Sequence, residues 1–186
     1  MLKSLKIFLC LIITMLLLVP IILISIAIKL NSKGPIIFWS KRVGIDDQIF
    51  LMPKFRTMKI NAPQLATSIM QSQKNYITFS GKILRKLSID EIPQIYSILK
   101  GDMNFIGPRP ALFNQYDLIK LRNTRGINKI LPGITGWAQV NGRDEISINK
   151  KVEFECEYLE KKSIIFDLYI ILLTFIRVFL SRNISH

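Results

Sequence analysis

Two acidic residues stand side by side at Asp90 and Glu91, inside the stretch LSIDEIPQIYSILKGDMNFIGPRP that runs from Leu87 to Pro110. They are conspicuous because the chain carries a formal net charge of +13. The one histidine, His186, is the last residue, which removes triads, cysteine–histidine dyads and histidine-ligated zinc from consideration. Cys10 lies in an apolar run and Cys156 in a charged segment, so a reduced chain facing the cytosol is expected. The chemistry that remains belongs to carboxylates, cations, amides, hydroxyls or a hard metal ion.

The cations point to the partner. Up to residue 60 there are nine Lys/Arg and two acids, Asp46 and Asp47. Such a surplus attracts phosphates of any kind, whether in nucleic acid, anionic lipid or small phosphorylated substrates. The apolar segment beside the charge tilts the choice toward lipid. Lys54, Arg56 and Lys59 alternate with Phe55 and Met58, a spacing that by itself better suits a solvated strand face or lipid-surface contact than a substrate site. Arg109 is set rigidly in Gly-Pro-Arg-Pro (107–110). A turn-rich loop, LPGITGWAQVNGR, presents Trp137, Gln139 and Arg143, and equally reads as a surface loop with one buried Trp. Neither a dinucleotide-binding glycine fingerprint after a strand nor a Walker-type loop occurs.

These residues need elements to hold them. Ile92, Ile95, Tyr96 and Leu99 recur at i, i+3, i+4 and i+7, one apolar face of a short helix closed by Gly101. Asp90 would cap that helix and Pro93 would fall in its first turn, where a missing N–H costs nothing. Upstream, PIIFWS and QIFLMPKFRTM read as short strands. Downstream, Lys150–Lys162 reads as a charged helix. Ile164–Leu180 is very apolar yet contains Asp167 and Arg177, which suits an interfacial helix near 164–180 better than a span. At 186 residues one globular domain is expected.

Ile7 to Ile28 is an uncharged run of 22 residues. As a helix it would reach about 33 Å, enough for a hydrocarbon core of about 30 Å. Pro20 interrupts it and should kink it. Lys3 and Lys6 precede it and Lys29 and Lys33 follow, so the positive-inside bias asks for both flanks on one side. A plain span and a re-entrant hairpin both remain open on these signals.

The ordered motifs KFRTM, LRKLSIDEIPQIYSILKGDMNFIGPRP and LPGITGWAQVNGR resemble those of the bacterial sugar transferases known as small monotopic phosphoglycosyl transferases, over essentially the whole chain. The resemblance implies an α+β, mostly helical monotopic membrane protein with a small β element and interfacial amphipathic helices. Residues 1–30 would form a re-entrant, Pro-broken helix, and residues 31–186 a catalytic domain on the cytoplasmic face of the bacterial inner membrane. It implies transfer of a sugar 1-phosphate from a UDP-sugar to undecaprenyl phosphate, with release of UMP, at the start of O-antigen, capsule or related surface glycan synthesis.

Asp90 would be the nucleophile, forming a covalent phosphosugar intermediate. Glu91 would be its partner, and the two together would bind Mg²⁺. Arg85 resembles a phosphate-binding residue of the motif. Arg109, Arg143, Lys54, Arg56, Lys59, Trp137 and Gln139 would contact substrate phosphates, uridine or sugar. Membrane lipid is an expected partner, nucleic acid is not, and a homodimer is compatible.

The family breaks its helix at Ser-Pro, whereas this chain has Val19-Pro20. RPALFNQYDL, NGRDE and the terminal Ser-His resemble members that start O-antigen-type glycans, which suggests an N-acetylated amino-sugar donor. The resemblance is to the minimal form of the family, expected to lack the extra N-terminal spans of larger relatives. Two other classes compete: a non-enzymatic basic membrane protein that binds anionic lipid or a partner, and a membrane phosphatase using the same aspartate with water as acceptor.

Overall fold

The computed structural model describes residues 3–62, 76–142 and 146–180. Arg143 and most of the polar stretch after Asn61 lie outside the described residues, as does the terminal Ser-His. The elements run α1 (Lys3–Leu16), α2 (Leu18–Asn31), β1 (Ile37–Val43), β2 (Ile49–Phe55), α3 (Phe79–Lys86), α4 (Ile95–Lys100), β3 (Asn104–Ile106), β4 (Ala111–Leu112), α5 (Tyr116–Thr124), β5 (Gly133–Thr135), α6 (Trp137–Val140), α7 (Ile148–Lys161) and α8 (Ile164–Leu180). The chain is thus mostly helical with a small β component, as expected. β1 forms an antiparallel hairpin with β2, and its other edge pairs with β4, giving the order β2-β1-β4. Pro53 sits inside β2 opposite Trp39. It is tolerated because β2 is an edge strand with no ladder to supply on its outer side. A second, two-stranded sheet pairs β3 and β5 in parallel.

The apolar N-terminal run is a bent pair. α1 and α2 meet at 58°. The break falls at Leu17 rather than at Pro20. Pro20 lacks the N–H that would bond to the Leu16 carbonyl, and its ring presses on that same carbonyl, so the ladder fails one turn upstream. Neither arm alone is long and apolar enough to cross a membrane.

Both arms pack on the domain. Cys10 of α1 is buried with Phe50 and Met52 of β2 and Ile95 and Ile98 of α4. Ile28 of α2 is buried with Phe55 and Leu84. Polar ties hold both ends as well: Lys6 donates from Nζ to Asn104 Oδ1 at 2.7 Å. Arg56 donates to the carbonyls of Lys33 and Ser32 at 2.9 and 2.8 Å, and to Ser32 Oγ at 2.8 Å. The outer faces of α1 and α2 leave Phe8, Leu11, Met15, Leu16, Val19 and Leu23 exposed.

α8 spans the expected residues. The cost of Asp167 in this apolar helix is met by the Tyr158 hydroxyl, which donates to its carboxylate at 2.9 Å. Toward the domain Ile170 is fully buried, while Ile165, Leu168, Leu172 and Phe175 face outward.

Two local expectations need correcting. Asp90 does not cap a helix. Ser88 takes the left-handed conformation (φ 56°), a 3-10 segment runs from Ile89 to Gln94 with Pro93 inside it, and α4 begins only at Ile95. That start changes the phase of the apolar face: Ile95 and Ile98 are buried, whereas Tyr96 and Leu99 are exposed. The Gly101 cap is as expected, in the left-handed conformation at φ 94°.

Candidate active site

The 3-10 segment carries Asp90 and Glu91 against β2, which brings Lys54. α3 delivers Arg85 from one side, and the Gly107–Pro110 loop delivers Arg109 from another. Glu91 is fully engaged. Its Oε1 accepts from Lys54 Nζ at 2.8 Å and from Arg109 Nη2 at 2.7 Å, and its Oε2 lies 3.4 Å from Arg109 Nη1. Burial alone would raise the Glu91 pKa, but Arg109 and Lys54, through charge and hydrogen bonds, hold it well below the usual carboxylate range. Lys54 is drawn down by burial and supported by the Glu91 charge.

Asp90 is in the opposite state. It is 8% exposed, and among the described residues no donor hydrogen-bonds its carboxylate. Burial pushes its pKa above the ordinary aspartate value. Lys54, Arg109 and Arg85 pull it back, and Glu91 adds to the rise. Arg85 is oriented by Thr57, whose Oγ1 accepts from Arg85 Nε at 2.9 Å. Its own pKa is lowered by burial and supported by Asp90. A buried, cation-surrounded carboxylate beside a neutralised one is suited to meeting an anionic phosphorus centre.

The Arg109 loop is held by close backbone crossing. Gly107 N–H donates to the Thr135 carbonyl and Gly133 N–H to the Pro108 carbonyl, both at 2.9 Å. A Cβ on Gly136 would stand 2.1 Å from the Gly107 carbonyl oxygen, so the glycine there is a matter of space. The LPGITG segment therefore serves as the floor under Gly-Pro-Arg-Pro.

This placement sorts the expected site residues. Asp90, Glu91, Arg85, Arg109 and Lys54 come together. Arg56 instead is 5% exposed and spends its guanidinium on the end of α2. Lys59 is exposed beyond β2, where its N–H bonds to the Tyr76 carbonyl. Trp137 donates from its indole to Glu157 at 2.7 Å and packs among Phe154, Phe166 and Tyr169. Gln139 donates to the Ile134 carbonyl at 3.1 Å. Among the described residues no hydrogen bond joins Trp137 or Gln139 to the Asp90 group. Thr57, which orients Arg85, was missed by sequence reasoning although it lies inside the KFRTM motif.

A metal was expected at Asp90 and Glu91. Among the described residues no three acidic, histidine or cysteine side chains cluster as a metal cage. Mg²⁺ does not need one, since it keeps waters and binds through one or two carboxylates together with substrate phosphates. The unbonded carboxylate of Asp90 fits that role; Glu91 is already shared between two cations.

An aspartate and its neighbouring glutamate amid three cations, above a glycine-rich floor, form a charged cluster packed at the foot of a bent apolar helix pair. The sequence model of the bacterial sugar transferase family matches residues 1–181, and the chain belongs to that family. Similar proteins include the uncharacterized sugar transferase EpsL of Bacillus subtilis (strain 168), 39% identical over 166 residues, covering 89% of this chain and 81% of that protein. The UDP-glucose:undecaprenyl-phosphate glucose-1-phosphate transferase of Escherichia coli (strain K12) is 39% identical over 168 residues, covering 86% of this chain but 36% of its own length. The UDP-N-acetylgalactosamine-undecaprenyl-phosphate N-acetylgalactosaminephosphotransferase of Aeromonas hydrophila is 38% identical over 157 residues, covering 81% and 37%. This chain therefore spans little more than a third of the latter two proteins.

Proposed function

We propose that this sugar transferase moves a sugar 1-phosphate from a UDP-sugar to undecaprenyl phosphate and releases UMP. The observation that carries the mechanism is the opposite state of two adjacent carboxylates: Glu91 bound by Lys54 and Arg109, Asp90 left unbonded among the described residues. An Asp90 carboxylate oxygen attacks the β-phosphorus and the pyrophosphate P–O bond breaks. UMP leaves with that electron pair. An oxygen of undecaprenyl phosphate then attacks the phosphorus of the aspartyl-phosphosugar and frees the carboxylate. No general base is required, because both attacking groups are anions in their reactive forms.

Arg109 and Arg85 bind the equatorial phosphate oxygens, while Lys54 and Arg109 together neutralise Glu91 and keep it from repelling the substrate. Asp90 would be the residue to hold Mg²⁺, which when bound would supply further neutralisation of the pyrophosphate. The bent pair α1–α2 enters and leaves the cytoplasmic leaflet of the bacterial inner membrane from one side, with α8 lying in the interface. In support, the Lys6 and Ser32–Lys33 ends are both tied to the same domain, and the outer faces of these helices are apolar.

The relatives' names include both glucose and N-acetylgalactosamine, so the donor is chosen by assay. Detergent-solubilised protein is given a panel of UDP-sugars with Mg²⁺, with and without undecaprenyl phosphate. The reading requires UMP and a polyprenyl diphosphosugar from at least one donor. UMP with free sugar phosphate, equal with and without acceptor, would instead mark a hydrolase. Salt-sensitive binding to anionic vesicles without any turnover would mark a non-enzymatic lipid-binding protein.

A further inference from the structure

Arg122 and Glu155 form a buried ion pair that the proposed chemistry does not use. They are 7% and 2% exposed. Arg122 donates from Nε to Glu155 Oε2 at 2.8 Å and from Nη2 to Glu155 Oε1, a two-bond fork between α5 and α7. The same Nη2 donates to the main-chain carbonyl of Arg109 at 2.9 Å. The next carbonyl along, that of Pro110, accepts from Arg42 Nη1 of β1 at 3.0 Å. The preceding one, that of Pro108, accepts from Gly133 N–H at 2.9 Å. Three successive carbonyls around Arg109 are thus held by three separate elements, two of them through guanidinium groups.

The loop has reason to need such bracing. Pro108 and Pro110 have no N–H, so the segment cannot secure itself by a backbone ladder. Its acceptors must be met from outside. A lysine in place of Arg122 carries three donors on a single nitrogen, and so cannot reproduce a planar two-nitrogen fork on both carboxylate oxygens while also holding the carbonyl in place.

We propose that Arg122, fixed by Glu155, is the positioning residue for Arg109: it sets the main chain from which the Arg109 guanidinium reaches Glu91 and the substrate phosphate. This rests on the reading of Arg109 as a phosphate-binding residue. Arg122 touches no substrate. Its contribution is to the placement of the guanidinium, where an error of about 1 Å costs on the order of a hundredfold in rate.

The test is a double-mutant cycle on single-turnover UMP release, using the full chain in detergent with the UDP-sugar that the wild type turns over best. Arg122→Lys alone should slow the reaction about tenfold or more, while the KM for the UDP-sugar moves far less. In an Arg109→Ala background, Arg122→Lys should add little, because there is no guanidinium left to misplace. Glu155→Asp, which keeps the charge pair but draws the fork back by one methylene, should behave the same way if Arg122→Lys folds poorly. Equal slowing by Arg122→Lys, or by Glu155→Asp, in both backgrounds would overturn the proposal and mark the pair as a general support of the fold. Arg109→Ala with undiminished turnover would overturn the underlying phosphate-binding reading instead.

Discussion

Arg109 grips both oxygens of Glu91, Nη2 to Oε1 at 2.7 Å and Nη1 to Oε2 at 3.4 Å, and Lys54 takes the same Oε1 at 2.8 Å. The glutamate of the acidic pair is therefore the anchor of the cations, and the aspartate is the carboxylate left without a hydrogen bond among the described residues. Glu91→Gln keeps the shape but leaves two enclosed cations without their counter-charge. The expected result is a loss of about 3 kcal/mol of stability, from breaking one side of a buried pair, together with a large fall in turnover. Thermal unfolding in detergent beside UMP release measures both. An unchanged melting temperature would contradict the anchoring role.

The pH dependence follows from the same arrangement. Burial raises Asp90 and the surrounding cations oppose that rise. Below its folded pKa Asp90 is protonated and cannot attack, so the acid limb of kcat/KM should lie above 3.8, the ordinary aspartate value. Arg85→Met removes one of the opposing cations and should move the limb to still higher pH. Glu91 runs the other way. Its folded pKa is depressed, so its stabilising contribution is complete above about pH 4.5 and is lost only as the pH falls through the depressed value. Over the range where Asp90 titrates, then, stability from Glu91 should vary less than activity does. An acid limb at or below 3.8 would contradict the account.

Much of this site was legible in the sequence because it is local. Asp90, Glu91, Arg85 and Arg109 fall within one stretch of chain, Gly101 stops a helix by backbone geometry alone, and the apolar run of α8 has its expected ends. Legibility failed where a side chain's role depends on distant partners. Arg56 looks like one more cation beside Lys54, yet it belongs to Ser32 and Lys33, and nothing nearby in sequence says so. Arg122 and Glu155 are 33 residues apart. For Trp137 a packed side chain and a ligand contact were both open, and for Gln139 a ligand contact was expected, because the partners of a turn-rich loop are not written in its own sequence. The structure engages them with Glu157 and the Ile134 carbonyl. The N-cap expected at Asp90 failed because Ser88 turns left-handed and Pro93 sits within a 3-10 segment.

The floor beneath Arg109 gives a steric prediction. Gly136→Ala would put a methyl group 2.1 Å from the Gly107 carbonyl oxygen, a contact only backbone movement can relieve. The expected cost is about 1–3 kcal/mol, with turnover reduced beyond the folded fraction because Gly-Pro-Arg-Pro is displaced. Gly126→Ala should leave turnover per folded molecule unchanged: an added methyl meets nothing within 4 Å there, and the backbone at φ 71° costs only stability. Equal activity losses at both positions would contradict the claim.

The bend of the apolar pair is assigned to Pro20. With cysteines introduced at Leu5 and at Lys33, both ends should be shielded from an impermeant reagent in intact spheroplasts. Pro20→Leu restores a donor for the Leu16 carbonyl and should allow a straight helix, exposing one end. Labelling of one end in the parent protein would restore a plain span.

In the proposed reaction Asp90 becomes covalently attached to the sugar phosphate. Protein incubated with a UDP-sugar labelled in its β-phosphate, with no polyprenyl acceptor present, should retain about one label per active molecule as UMP is released, and undecaprenyl phosphate should chase that label into lipid. Asp90→Asn should form no adduct and no product. Normal turnover by Asp90→Asn, or label transfer to lipid in a single step with no protein-bound species, would contradict the account.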